Sequence, residues 1–288
     1  MIYLLYNPRS NNDHNDINVI LKGKSQSNVT SVNLLTNDVR ELLPKLTAED
    51  KVLLCGGDGT ISRFATNTYG FEFPCPVCVL KSGTGNDFVR DINENETDKV
   101  EQLIDIRQYL KNLPTVEYKD IKAKFINGTG FGLDGEVCRE VDEQKKRSNK
   151  KASYTTAAIK LILGGGYKMP HARVTVDGVT HEFDDVWLVS TMKGRYYGGG
   201  MMVTPDQDRS SDELSVLVFH GGSRVKVLSV FSTVYTGKHV KYKKLVEIFR
   251  GKSVHVEFDK PTALQMDGEV ETDVLSYTAY MDGYEPCK

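Results

Sequence analysis

Short apolar runs alternate with amphipathic stretches through the first third of the chain. The apolar runs are bounded by glycine and polar residues, which is typical of buried β-strands, and the stretches between them have helical spacing. Because strands and helices alternate and the strands are wholly apolar, the pattern predicts a parallel sheet covered by helices on both faces. The predicted strands are 2–7, 31–36, 51–57 and 75–83, and the predicted helices are 37–46, 60–69 and 86–92.

Beyond residue 113 the apolar runs become shorter and alternate with polar residues, which indicates antiparallel β-strands. Asp177-Gly178 marks a hairpin turn inside the run 172–183. Further strands are predicted within 115–128 and at 186–191, 214–220 and 255–269, and helices at 134–146, 153–163 and 225–237. We therefore predict an α/β protein with two domains. Residues 1–114 together with 275–288 form an N-terminal parallel-sheet domain, and residues 115–274 form a C-terminal β-rich, sandwich-like domain.

The composition excludes some classes of protein. Of the 288 residues, 37 are Lys or Arg and 39 are Asp or Glu, so the net charge of −2 argues against general binding of nucleic acid. No apolar run approaches about 18 residues, the length that predicts a membrane-spanning helix. The N-terminus lacks the basic start of a signal peptide, and the five cysteines are an odd, sparse set. We therefore expect a cytoplasmic protein with reduced thiols.

A glycine-rich loop follows the third predicted strand and opens a helix. Gly56, Gly57 and Gly59 allow a sharp turn and a close approach of the backbone to a phosphate, and the helix start attracts anions. Thr60 adds a hydroxyl group. The carboxylate of Asp58 repels phosphate unless a cation lies between them, or unless Asp58 handles a proton. The loop therefore predicts a phosphate site with an acid beside it.

A second loop of the same kind follows the fourth predicted strand. It has two glycines, flanking hydroxyl groups, and then an amide and a carboxylate at the start of a helix. One such loop alone is explained by a tight turn with an Asp or Asn helix cap. Two loops on successive strand–helix units favour a nucleotide site, because the carboxyl ends of parallel strands meet at one edge of a sheet. The residues of this loop are Ser82, Gly83, Thr84, Gly85, Asn86 and Asp87.

Three motifs follow one another along the chain: GGDGT at 56–60, GTGNDF at 83–88 and MDGE at 266–269, with NP at 7–8 after the first strand. In this order they resemble the diacylglycerol kinase catalytic-domain family, which includes bacterial lipid kinases and sphingosine kinases. GGDGT alone is shared with NAD kinases and phosphofructokinases. The order of the three motifs therefore carries the resemblance.

The resemblance implies a two-domain kinase whose active site lies in the cleft between the domains. It implies ATP and Mg²⁺ as cofactors and transfer of the γ-phosphoryl group to a lipid hydroxyl, with diacylglycerol as the favoured substrate. On this pattern Asn7 and the two glycine-rich loops bind the nucleotide. Asp58, Asp87 and Glu269 form an acidic cluster, in which either Glu269 or Asp58 accepts the proton of the lipid hydroxyl.

Some members of the family hold a structural Mg²⁺ near an Asp-Gly-x-Leu stretch that follows a proline. This chain has Pro205 followed by DQDRSSDEL at 206–214, without that glycine. Asp212 and the carbonyl of Leu214 are the ligands that remain for such a metal ion.

Two basic runs are candidates for contact with an anionic membrane. Residues 143–151 carry five basic residues and one acidic residue, and residues 238–252 carry six and one. Such runs are usually solvated surface, but each Lys or Arg contributes roughly 1 kcal/mol near an anionic bilayer, which a lipid kinase must reach. We therefore expect transient docking at the inner membrane surface. The residues assigned to it are Lys145, Lys146, Arg147, Lys150 and Lys151.

Two other functions fit part of the pattern. A kinase for a soluble alcohol, such as an NAD kinase, also carries GGDGT, but the GTGNDF loop argues against it. Three carboxylates beside phosphates argue against a non-catalytic ATP-binding module, provided that the carboxylates cluster in space. The identity of the lipid and the oligomeric state, including a homodimer, stay open.

Overall fold

The computed structural model describes residues 1–8, 28–81, 86–93, 103–147, 153–164 and 166–287. The chain divides into two units, Met1–Leu113 and Pro114–Lys288. The first unit contains a mostly parallel sheet, and the second contains a large antiparallel sheet with helices. The predicted two-domain α/β architecture is therefore confirmed.

The first unit is built on a five-stranded sheet. Its strands are β1 (Ile2–Tyr6), β2 (Val29–Asn33), β3 (Lys51–Gly56), β4 (Val77–Lys81) and β5 (Ile104–Asp105). The order across the sheet is β2-β1-β3-β4-β5, in which the first four strands are parallel and β5 is antiparallel to β4. Leu5 and Leu54 are fully buried, as expected for central strands of a parallel sheet. The helices are α1 (Asp58–Asn67) and α2 (Asp87–Ile92).

Two elements of the first unit differ from the prediction. The strand β2 begins before the predicted start. The predicted helix 37–46 is instead two short 3₁₀ helices, Val39–Glu41 and Leu43–Lys45. Pro44 explains the break, because proline lacks a backbone N–H and clashes with the preceding turn of an α-helix.

The second unit is built on a sheet whose neighbouring strands are antiparallel. The strands of the second unit are β6 (Thr115–Tyr118), β7 (Ile121–Lys124), β8 (Gly128–Gly132), β9 (Ala172–Val176), β10 (Val179–Phe183), β11 (Val186–Met192), β12 (Tyr196–Tyr197), β13 (Met201–Met202), β14 (Leu214–His220), β15 (Val246–Gly251), β16 (Ser253–Met266) and β17 (Glu269–Tyr280). The order is β15-β14-β11-β8-β16-β17-β6-β7, and the β9–β10 hairpin joins this sheet through β16. β12 and β13 form a separate pair.

Three helices of the second unit pack on β11 and β14: α3 (Leu133–Arg147), α4 (Tyr154–Leu163) and α5 (Arg224–Phe231). Their apolar sides share one core with Trp187 and Leu217 of the sheet. A second core contains Phe131, Phe258 and Tyr277. Within the described parts of the chain, no helix is long and apolar enough to cross a bilayer.

The C-terminal segment belongs to the second unit, which corrects the predicted domain boundaries. β17 pairs with β16 and, through residues 278–280, with β6. Tyr277 is 1% exposed, and its hydroxyl lies 2.8 Å from Thr191 Oγ1. Residues 275–288 therefore do not return to the first unit.

Two Asp-Gly turns form hairpins in the second unit. The predicted turn at Asp177-Gly178 joins β9 to β10, with φ of 47° and 84°. Asp267-Gly268 joins β16 to β17 in the same way, with φ of 48° and 90°. The predicted single strand 255–269 is therefore wrong: it contains a turn, and the Asp-Gly signal for that turn was present in the sequence.

Candidate active site

The carboxyl ends of β1, β3 and β4 lie at one edge of the first sheet. Asn7 follows β1, the GGDGT loop at 56–60 follows β3, and the segment 82–85 follows β4. Because β2 and β3 lie on opposite sides of β1, the winding of the chain reverses between β1 and β3. Ligands of parallel α/β sheets bind at such a reversal. Ser82, Gly83, Thr84 and Gly85 lie outside the described residues, so their role stays a prediction.

Asp58 joins the two glycine-rich segments. One carboxylate oxygen accepts the backbone N–H of Asp87 at 2.8 Å, and the other accepts the N–H of Phe88 at 2.8 Å. Both N–H groups belong to the first turn of α2. The structure thus brings Asp58 and Asp87 together and fixes the loop after β3 to the start of α2.

Asn86 connects the same two segments through an amide. Its Oδ1 accepts the N–H of Val89 at 3.0 Å and caps α2, while its Nδ2 donates to the carbonyl of Gly56 at 3.4 Å. Asn86 is 7% exposed and Asp87 is 3% exposed. Asn86 therefore supports the loops and caps the helix, which is the alternative role that the sequence analysis considered beside nucleotide binding.

The start of α1 has space for a phosphate. The N-cap of this helix is Gly57, which has no side chain to cap it. Among the described residues, a Cβ at Gly57 or Gly59 would meet no atom within 4 Å, so these residues leave space beside both glycines. Gly56 is required for packing, because a Cβ there would collide with the side chain of Thr60. A helix start beside open glycine backbone fits the phosphates of a nucleotide.

Glu269, the third predicted acid, is the first residue of β17 in the second unit and is exposed. The turn before it is held from both sides. The Asp267 carboxylate accepts the N–H groups of residues 126–128 at 2.8, 2.9 and 3.1 Å. Gln265 Oε1 accepts the N–H of Gly268 at 3.1 Å. The sequence analysis identified the MDGE motif but did not identify Asp267 and Gln265 as the residues that hold the turn before Glu269.

A buried acid in the second unit, Asp134, was not among the predicted site residues. Its Oδ2 accepts hydrogen bonds from Ser190 Oγ at 2.9 Å and Gln265 Nε2 at 3.3 Å, and the Tyr197 hydroxyl also donates to the carboxylate. Burial raises the pKa of Asp134 to about 6, against the opposing effect of these hydrogen bonds. The sequence carried one signal for this buried acid, the glycine at position 130, because a Cβ there would collide with the Asp134 carboxylate.

In the loop predicted to hold a structural metal ion, side-chain nitrogen atoms donate hydrogen bonds to backbone carbonyls. Lys193 is 3% exposed, and its Nζ donates to the carbonyl of Ser211 at 2.6 Å. Gln207 Nε2 donates to the carbonyls of Asp208 and Glu213 at 3.0 and 2.9 Å. Burial, together with the positive charge of Arg209, lowers the pKa of Lys193 to about 8.

Mg²⁺ at Asp212 and the Leu214 carbonyl stays a prediction, but other groups hold this loop. The carbonyls of Asp208, Ser211 and Glu213 accept hydrogen bonds from an ammonium and an amide. Asp212 is exposed, and Leu214 is the first residue of β14. The described parts of the chain do not place three or more His, Cys, Asp or Glu side chains so that they could hold a metal ion.

The predicted membrane-docking segment is described only in part. Arg147 pairs with Glu143 at 3.1 Å, and Arg139 pairs with both Glu136 and Glu143. The side chains of Lys145 and Lys146 lie outside the described part of the structure, as do residues Lys150 and Lys151. The charges of α3 that are described are therefore largely paired with one another.

Two family models match the chain. Residues 1–116 match the diacylglycerol kinase catalytic domain, and residues 128–279 match the YegS C-terminal NAD kinase beta sandwich-like domain. The chain belongs to the diacylglycerol kinase family. The family relationship makes it a phosphotransferase of the lipid-kinase class, which uses a nucleotide to phosphorylate an alcohol.

Named relatives and solved structures agree with this family. A Mycobacterium tuberculosis protein (strain CDC 1551 / Oshkosh) named diacylglycerol kinase is 27% identical over 77% of this chain and 72% of its own length. A Staphylococcus aureus protein (strain JH9), named as a candidate lipid kinase, is 22% identical over 78% of this chain and 72% of its own. The crystal structure of a diacylglycerol kinase from Bacillus anthracis shares the fold, with a TM-score of 0.61 at 16% identity, over 97% of this chain and 93% of that chain.

Proposed function

We propose that this kinase transfers the γ-phosphoryl group of ATP to the hydroxyl of diacylglycerol, with Mg²⁺, and forms phosphatidic acid. The observation that carries the proposal is the Asp58 carboxylate, which accepts the N–H groups of Asp87 and Phe88 and so joins two glycine-rich loops at the carboxyl edge of the sheet. The name of the Mycobacterium tuberculosis relative supports diacylglycerol as the acceptor.

The phosphates of the nucleotide would lie against the start of α1. The space that the described residues leave beside Gly57 and Gly59 and the helix N-terminus suit an anionic group, and Thr60 adds a hydroxyl. Asn7 and the segment 82–85 follow the neighbouring strands at the same edge. In phosphoryl transfer these residues position the donor and exclude other orientations, since the reaction needs little covalent chemistry from the protein.

Mg²⁺ fits the acids at this edge. Mg²⁺ keeps several water ligands and is held by one or two carboxylates together with substrate phosphates, so it needs no cage of protein ligands. Asp58 and Asp87, which a hydrogen bond from the Asp87 N–H to the Asp58 carboxylate brings together, would supply such carboxylates. When bound, the ion supplies positive charge that offsets the charge of the phosphate oxygens.

We assign the role of general base to Glu269. Each oxygen of Asp58 already accepts a backbone N–H, so Asp58 holds the two loops in addition to its proposed contact with Mg²⁺. Glu269 is exposed on a turn that Asp267 and Gln265 fix in place. A carboxylate held at one position on a rigid turn suits removal of the proton from the attacking hydroxyl.

The test is phosphate transfer from γ-labelled ATP with Mg²⁺ to diacylglycerol in non-ionic detergent micelles, with NAD in the aqueous phase. We expect label in phosphatidic acid in the organic phase. Label only in the aqueous phase would instead make the chain a soluble-alcohol kinase. A protein that labels no acceptor under any of these conditions would contradict the proposal.

Glu269→Gln tests the assigned base. We expect its kcat to fall by about 100-fold or more, because general base catalysis contributes that much to such reactions. Glu271→Gln is the matched control, since Glu271 lies on the same strand and forms an ion pair with Lys119 at the surface. A kcat that falls equally in both variants would contradict the assignment.

A further inference from the structure

Arg209, in the loop between β13 and β14, contacts the backbone segment 126–128 that precedes and begins β8. Its Nη2 donates to Asn127 Oδ1 at 2.7 Å, and its Nη1 donates to the carbonyl of Ile126. Ile126 is fully buried and Asn127 is 3% exposed, whereas Arg209 is half-buried. The guanidinium presents its donors in a fixed planar fork, so it orients both the backbone and a side chain of this segment.

One peptide group lies between Arg209 and the turn at residues 266–269, which we call the MDGE turn. Its carbonyl, that of Ile126, accepts from the guanidinium. Its N–H, that of Asn127, donates to the Asp267 carboxylate at 2.9 Å. Hydrogen bonds in such a chain polarise one another, so a cation on one side strengthens the bond to the carboxylate on the other. Two hydrogen bonds in series therefore connect Arg209 to the MDGE turn.

The backbone around Arg209 is fixed by hydrogen bonds within its own loop. The N–H of Ser210 donates to Asp208 Oδ1 at 2.8 Å. The carbonyl of Asp208 accepts from Gln207 Nε2 at 3.0 Å and from Ser211 Oγ at 2.8 Å. Because the residues on both sides of Arg209 are held, its guanidinium meets the segment 126–128 at a defined place.

We propose that Arg209 is a positioning residue, which sets the place of Glu269 through the 126–127 peptide group and the Asp267 carboxylate. Gly268, with φ of 90°, separates Asp267 from Glu269. Glycine leaves the backbone free to adopt many conformations, so the place of Glu269 depends on how firmly Asp267 is held. The proposal rests on the proposed function, because it takes Glu269 as the base that removes the proton of the lipid hydroxyl.

Arg209→Met tests the proposal, because it keeps an unbranched side chain and removes the donors. A displacement of about 1 Å in a catalytic group can lower the rate by about 100-fold. We therefore expect kcat for diacylglycerol in non-ionic micelles to fall by at least about tenfold. The KM for ATP should change by less than about twofold, because the residues proposed to bind the nucleotide belong to the first unit. Circular dichroism and the Tm check that the variant is folded at the assay temperature.

Arg250→Met is the matched control. The exposed Arg250 donates from Nη2 to the carbonyl of Asp206 at 2.6 Å, so this variant also removes a guanidinium contact with the loop between β13 and β14. That contact lies outside the path from Arg209 to the MDGE turn. We expect its kcat to stay within about threefold of wild type. An equal fall of kcat in the two variants would overturn the proposal.

A double-mutant cycle with Glu269→Gln distinguishes positioning from a general structural role. If Arg209 acts by placing the base, its loss has little left to affect once the base is absent. We expect Arg209→Met to lower kcat by less than about twofold in the Glu269→Gln background. A residue that only stabilises the fold would lower kcat by the same factor in both backgrounds, and that result would show the proposal to be wrong.

Hydrogen exchange measures the same contact without catalysis. In Arg209→Met the amides of residues 126–128 and 267–268 should exchange faster than in wild type, and in Arg250→Met they should not. If these amides exchange faster in Arg209→Met but the wild-type protein phosphorylates no lipid, Arg209 positions the turn and the proposed function fails. If the wild-type protein phosphorylates diacylglycerol but neither exchange nor kcat differs between the two variants, the function stands and the positioning role of Arg209 fails.

Discussion

At the scale of the residue, the proposed function gives Asp58 two tasks. Its position in a glycine-rich loop at the start of a helix suits an acid near the phosphates of the nucleotide. Its two oxygens, however, each accept a backbone N–H from the start of α2. A change at this residue therefore affects both the acid and the spacing of the two loops.

Asp58→Asn is expected to abolish measurable lipid phosphorylation and also to lower the free energy of unfolding. The amide can accept only one of the two N–H groups, and its own N–H₂ then faces the other. An unsatisfied donor of this kind costs about 1–3 kcal/mol. Urea denaturation and the micelle assay measure the two effects. Asp38→Asn is the control, because Asp38 accepts the N–H of Arg40 at 2.9 Å at an exposed site; loss of activity there as well would argue against a specific role for Asp58.

Asp134 makes the stability of the second unit depend on pH. The folded protein raises the pKa of this carboxyl to about 6, so it binds the proton more tightly than the unfolded chain does. Stability from this group is therefore present below about pH 4 and is lost as the pH rises to about 6. Asp134→Asn removes that dependence. We expect the free energy of unfolding of the variant, relative to wild type, to rise by about 2–3 kcal/mol over this range.

Ser190→Ala provides the matched test of the same carboxyl. It removes a hydrogen bond that stabilises the charged form, so the pKa of Asp134 should rise further and the loss of stability should extend to higher pH. Urea denaturation at a series of pH values follows both variants. If the difference in the free energy of unfolding between Asp134→Asn and wild type does not change with pH, Asp134 does not titrate in this window.

At the scale of the element, local sequence patterns were sufficient for most strands and for the Asp177-Gly178 hairpin. They were insufficient where partners lie far apart in the chain. The bond between Gln265 and Asp134 spans 131 positions, and the bonds from the Asp267 carboxylate span 139 to 141. No periodicity or turn signal encodes such a pairing, because it depends on which strands become neighbours in the sheet.

The loop between β13 and β14 is an element held by side chains where a metal ion was expected. Lys193→Met keeps most of the side-chain volume but leaves the Ser211 carbonyl without its donor. We expect the free energy of unfolding to fall by about 1–3 kcal/mol. Neither EDTA nor Mg²⁺ should shift the Tm of the wild-type protein in the absence of nucleotide. Lys168→Met, at an exposed position, is the control. A Tm that rises with Mg²⁺ and loses that response in Asp212→Asn would show that the predicted metal site is present.

At the scale of the whole molecule, the division between Leu113 and Pro114 assigns both ends of β17 to the second unit. The sequence pattern assigned residues 275–288 to the first domain, because it does not show which sheet receives them. The choice follows from the Asp267-Gly268 turn, because a two-residue turn forces β17 to pair with β16. The late acid Glu269 is consequently part of the antiparallel sheet, and its setting depends on the integrity of that sheet.

Truncation of the chain after Val274 tests this assignment. It removes Tyr277, Ala279 and Tyr280 from the core, leaves part of β16 without its partner, and leaves β6 paired with β7 alone. Hydrogen exchange should show loss of protection in peptides of residues 114–274 and retained protection in β1, β3 and β4. Truncation after Asp282 keeps the whole of β17 and is the control, with protection close to that of the full chain. If the shorter chain instead lost protection in the first sheet and kept it in the second, residues 275–288 would belong to the first unit. The assignment of Glu269 to the antiparallel sheet would then be wrong.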